Sequence, residues 1–122
     1  VVLGSGSSKG GFVFFSPVDS PKLRLRFASS SKQFDATTQA VSATAKTHIA
    51  IVYDADAKTL SMYQDGVKLT VSGNMSNFGT ITFTTLCGGY GNTTDNYYYR
   101  GQLHYLRFTE QVLTTEQFHK EP

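Results

Sequence analysis

Between residues 47 and 71 apolar and polar side chains alternate through three runs separated by two turn signals. Alternation with period two places successive side chains on opposite faces of a strand. Asp65-Gly66 is the sharper of the two signals, because a two-residue type I′ turn needs positive φ at both centres and Asp followed by Gly tolerates it. That turn predicts Gln64 opposite Val67, Tyr63 opposite Lys68, Met62 opposite Leu69, Ser61 opposite Thr70 and Leu60 opposite Val71. Residues Asp54, Ala55, Asp56 and Ala57 read as a four-residue loop, which sets Ile51 against Leu60 and Ile49 against Met62. One face of the ribbon then carries Ile49, Ile51, Tyr53, Leu60, Met62, Leu69 and Val71. The other carries His48, Ala50, Val52, Thr59, Ser61, Tyr63, Lys68 and Thr70. A three-stranded ribbon with one apolar face needs a second layer over it.

The rest of the chain reads as further strands. Val1-Val2-Leu3 is a short apolar run leading into a Gly/Ser turn or loop over residues 4–11. Phe12 to Phe15 is apolar on both faces, as for a central strand, and Ser16-Pro17 opens a turn that runs to Pro21. From Lys22 to Phe27 the alternation is strict, with Leu23, Leu25 and Phe27 on one side and Lys22, Arg24 and Arg26 on the other. That basic stripe reads as a solvated outer face or as a contact for anionic partners such as acidic or sulfated glycans. A weaker strand spans residues 34–41, Ser72-Gly73-Asn74 reads as a loop, and Thr80 to Leu86 alternates as a half-buried strand. A glycine-rich loop from Cys87 to Asn96 precedes a last strand over 97–108. Leu103, Leu106 and Phe108 break period two there, so a β-bulge near His104 or Tyr105 is expected to bring all three to the core. Thr114 with Gln117 makes a capping box, flanked by a Leu113–Phe118 staple, and predicts a helical turn or two over 115–120. About nine short strands with almost no helix predict an all-β, two-sheet antiparallel β-sandwich with one short C-terminal helix.

Composition narrows the class. The 122 residues fit a single domain, 1–122, able to bury a core without metal or disulfide staples. A 39% hydrophobic share argues against disorder, and the 7 Tyr and 9 Phe favour strand. The net charge of +2 is too mild to point to nucleic acid. Cys87 is the lone cysteine and can form no intrachain disulfide. No apolar run reaches the roughly 20 residues of a membrane span, so no membrane insertion is expected. The chain opens on Val1 rather than Met, as a fragment or processed product would.

Four motifs in order carry a family resemblance: residues 47–54, residues 60–66 (Leu-Ser-Met-Tyr-Gln-Asp-Gly), residues 99–108 (Tyr-Arg-Gly-Gln-Leu-His-Tyr-Leu-Arg-Phe) and residues 113–118 (Leu-Thr-Thr-Glu-Gln-Phe). Together they resemble the LamG-like domain, a relative of laminin G and pentraxin domains in the concanavalin A-like lectin/glucanase superfamily. The resemblance covers roughly residues 1–118. It implies a jelly-roll sandwich that recognises carbohydrate or protein surfaces on secreted and surface proteins, sometimes with Ca²⁺. Two departures stand out. Family members usually have further strands before the position of Val1, so the chain resembles the C-terminal part of a larger domain completed by another chain or domain. Gln64 sits where the family usually has an apolar residue, and a further solvated position is expected there.

Catalysis is not expected. Glycosidases of this fold need two carboxylates flanking the scissile bond, and the three Glu residues, Glu110, Glu116 and Glu121, all lie near the terminal turn. His48, His104, His119 and Cys87 make no zinc pattern. Asp54 and Asp56 offer oxygens to Ca²⁺, or form a turn whose carboxylates bond nearby amides. The most site-like stretch is the loop at 88–98. Tyr90 and Tyr97 offer faces to sugar C–H groups, and Asn92, Asp95 and Asn96 offer donors and acceptors to hydroxyls. Its rival is the polar ribbon face with His48, Tyr63 and Lys68. Two readings of the whole follow: a non-catalytic glycan-recognition module on an extracellular or virion surface, or an assembly module packing on a partner protein.

Overall fold

The computed structural model describes residues 3–4, 12–17, 22–28, 33–42, 44–54, 56–73, 85–86 and 102–118. Nine strands occur among them: β1 (Leu3–Gly4), β2 (Phe12–Pro17), β3 (Leu23–Ala28), β4 (Gln33–Thr37), β5 (Ile49–Asp54), β6 (Thr59–Gln64), β7 (Val67–Lys68), β8 (Ser72–Gly73) and β9 (Thr85–Leu86). A single 3₁₀ turn, Thr115–Gln117, closes the described chain. The strands form two antiparallel sheets, one ordered β8-β4-β3-β2-β1-β9 and one ordered β5-β6-β7. The expected loop at 5–11, the strand start at 80–84 and the whole of 87–101 lie outside the described residues.

In the larger sheet the register aligns Leu86, Leu3, Val13, Phe27 and Phe34 in one row across five strands. Strand β2 runs to Pro17, which pairs with Leu23, although Ser16-Pro17 reads as a turn. Among the described residues β1 pairs no further along β2 than Val13, so no ladder bond to a described residue is lost at Pro17 on that side. Along β4 burial alternates, with Phe34, Ala36 and Thr38 buried. That face meets the ribbon: Phe34 and Ala36 form one core cluster with Leu60, Met62 and Leu69, and Ile49, Ile51, Tyr53 and Val71 pack on it. The apolar face read from residues 49–71 is therefore the buried one.

Within the ribbon the Asp65-Gly66 turn forms as expected, with φ of 50° and 80°. Tyr63 faces Lys68 and Gln64 faces Val67. Leu69 N donates to Met62 O at 2.8 Å. Beyond that the hairpin ends. Ser72 and Gly73, expected in a loop, leave the ribbon and pair with Asp35 and Phe34 of the other sheet. The anticipated facing of Leu60 with Val71 and Ser61 with Thr70 is thus replaced by a crossover between the sheets.

The other connection is displaced by two positions of register. Ile51 lies opposite Met62, not Leu60, and Ile49 lies opposite Gln64, not Met62. The cause is Asp54, which stays paired with Thr59 while its Oδ1 accepts from Asp56 N at 3.0 Å and Ala57 N at 2.9 Å. The connection therefore lies between Asp54 and Thr59, and Lys58 closes the turn at φ 53°.

Two further expectations fail. Gln64 is buried, at 6% exposure, where a solvated position was expected. Its Oε1 accepts a hydrogen bond from Gln39 N at 2.7 Å, which makes burial of the amide tolerable. Residues 102–109 join neither sheet, and Leu103, Leu106 and Phe108, expected in the core, are exposed. No described strand pairs with this segment, so no cross-strand neighbour among the described residues holds its apolar side chains toward the core.

Candidate functional site

The five residues singled out for sugar contact, Tyr90, Asn92, Asp95, Asn96 and Tyr97, all lie outside the described residues. The rival ribbon face can be built from its elements. The Asp65 turn anchors it. Asp65 N donates to His48 O at 2.8 Å, and Asp65 Oδ1 accepts from His48 N at 2.8 Å. These two bonds hold His48 beside Tyr63 at the end of the ribbon.

The C-terminal turn then reaches this face. The capping box forms between Thr114 and Gln117. Thr114 N donates to Gln117 Oε1 at 2.9 Å, and Gln117 N donates to Thr114 O at 3.0 Å. Only one turn results, because Phe118 returns to extended backbone. Phe118, expected to pack on Leu113, has its ring 5.1 Å from Tyr63 in an edge-to-face arrangement and 5.9 Å from His48. Arg107 Nη1 donates to Gln117 O at 3.4 Å and ties the preceding segment to the same turn. Phe118 therefore occupies the aromatic part of the rival face, while Lys68 stays exposed beside it.

A cavity of about 250 Å³ opens where the hairpin parts. Phe34, Leu60 and Val71 supply apolar walls; Thr59, Ser61, Lys68, Ser72 and Gly73 supply the polar ones. None of these polar residues except Lys68 was a site candidate in the sequence. No local signal marks them, because the cavity exists only through the departure of Ser72 and Gly73 to β4.

The Asp54 carboxylate serves the turn. One of its oxygens is committed to two backbone N–H groups, and no group of three or more His, Cys, Asp or Glu among the described residues could hold a metal ion.

A family model described as the concanavalin A-like lectin/glucanases superfamily, laminin G type, matches residues 1–118. The chain belongs to that family. Comparison with curated proteins and with solved structures found no match. Laminin G-like domains are generally non-catalytic and commonly extracellular binding modules. No helix among the described residues is long and apolar enough to cross a membrane.

Proposed function

We propose that this laminin G-like chain is a non-catalytic recognition module that binds glycans on an extracellular or virion surface, built as a concanavalin A-like jelly-roll sandwich spanning residues 1–122. The observation that carries this reading is the superfamily match over nearly the whole chain. The scarcity and placement of Glu speak against glycosidase chemistry, which needs a flanking carboxylate pair. The recognition surface in this reading is the loop at 88–98. Tyr90 and Tyr97 replace water over sugar C–H groups, and Asn92, Asp95 and Asn96 bond the hydroxyls. Support for this loop over the ribbon face comes from Phe118, which already covers the rings of His48 and Tyr63.

A glycan array, followed by Tyr90→Ala and Asp95→Ala, tests the reading. Binding that both substitutions weaken supports it. Binding that survives both and is lost in Tyr63→Ala moves the site to the ribbon. No glycan bound at millimolar concentration gives the place to an assembly role. One observation favours that second reading: Leu103, Tyr105, Leu106, Phe108 and Val112 are all exposed within ten residues, the kind of apolar strip that a partner protein covers.

A further inference from the structure

The cavity between β6 and β8 has a feature that ordinary packing gaps lack. Backbone groups of a strand alternate in direction, so residues two apart point their N–H and C=O to the same side. Met62 O points toward β7, where it accepts from Leu69 N. Leu60 therefore aims its N–H and C=O the same way, into the place that Val71 would have filled had the hairpin continued. The ladder has no partner for Leu60 on that side among the described residues, since β8 pairs with β4 instead. Leu60 is also buried, at 6% exposure, and lines the cavity.

We propose that this cleft receives the free C-terminal end of an extended peptide. Three features converge on that chemistry. The open edge at Leu60 can exchange main-chain hydrogen bonds with an added strand residue, the mode by which exposed edges recognise peptides. A residue placed opposite Leu60 shares its face of the sheet, so its side chain lies over Phe34 and Val71, which suits a small apolar group. The volume, about 250 Å³, is below the roughly 300–1,000 Å³ of sites for drug-sized ligands and fits one side chain.

Charge supplies the third feature. Lys68 lines the cavity, is exposed, and makes no ion pair among the described residues. Its ammonium, with the hydroxyl of Ser61, presents donors to a carboxylate, while the Ser72 hydroxyl donates to Asp35 O at 3.5 Å. Charge-assisted bonds to an ammonium are roughly twice as strong as neutral ones. The nearest acidic side chain along the ribbon, Asp65, is committed to His48 N. This inference stands apart from the glycan reading and does not use the loop at 88–98.

An NMR titration of the isotope-labelled protein tests it, using a short peptide ending in Val with a free carboxylate and the same peptide as its amide. The expected result is at least tenfold tighter binding of the free acid, with amide shifts confined to Leu60, Ser61, Lys68 and Ser72. Lys68→Ala should abolish the difference between acid and amide, and Lys68→Arg should keep most of it. Equal binding of acid and amide, or shifts elsewhere, overturns the proposal. So does methyl glucuronide producing the same shifts at lower concentration, because the cleft then belongs to a sugar acid.

Discussion

Gln64, near the turn end of the ribbon, accepts a hydrogen bond at 2.7 Å from the backbone N–H of Gln39, just past β4 of the other sheet. The bond joins the two sheets at a place where the core cluster of Leu60, Met62 and Leu69 gives way to the turn. Gln64→Leu is expected to lower stability by about 1 kcal/mol, the usual net worth of such a bond, although the replacement is more apolar. Urea denaturation of both proteins measures it. A raised midpoint would show that the amide is dispensable.

Met62 is wholly buried and lies opposite Ile51. Truncation there removes apolar contact from both sheets and leaves a cavity. Met62→Ala should cost about 2–5 kcal/mol. A loss under about 0.5 kcal/mol, typical of surface positions, would remove Met62 from the core.

Phe118 links the C-terminal turn to the ribbon through Tyr63 and His48. Edge-to-face aromatic pairs contribute about 0.5–1.5 kcal/mol beyond their burial, so Phe118→Ala should cost about 1–3 kcal/mol. Ring-proton shifts of Tyr63 and His48 report the contact directly. Both sets should move in the variant. Unchanged shifts would place Phe118 elsewhere.

Asp65 combines a positive φ with a side-chain bond to His48 N. Asp65→Ala loses the acceptor and puts a Cβ residue without local bonding in the left-handed region, which should cost about 1–2 kcal/mol. Asp65→Asn keeps an acceptor and a residue type that tolerates this conformation, and should stay within about 0.5 kcal/mol of the parent. Equal losses in the two variants, read from thermal denaturation, would show that the bond to His48 contributes nothing.

What residues 47–71 determined by themselves were the faces and the turn. Leu60, Met62 and Leu69 are buried, and Asp65 and Gly66 adopt the positive φ that their side chains permit. The burial of that face takes Phe34 and Ala36 of the other sheet, whereas the alternation of faces and the turn depend only on neighbours in the chain. The same holds for the capping box of Thr114 and Gln117, whose partners are three residues apart. Register between β5 and β6 was less legible for a simple reason. A slip of two positions leaves every side chain on the same face, so alternation cannot tell Ile51 opposite Leu60 from Ile51 opposite Met62. The bonds from Asp56 and Ala57 to Asp54 make that choice. Tertiary structure alone decided the rest. Gln64 is buried because Gln39 arrives from another sheet, and Phe118 finds Tyr63 across the fold. Ser72 and Gly73 become a strand because β4 offers them an edge, and the cleft at Leu60 opens as they leave. Hydrogen bonds between distant segments are available only once the sheets have met, so no local pattern of side chains encodes them.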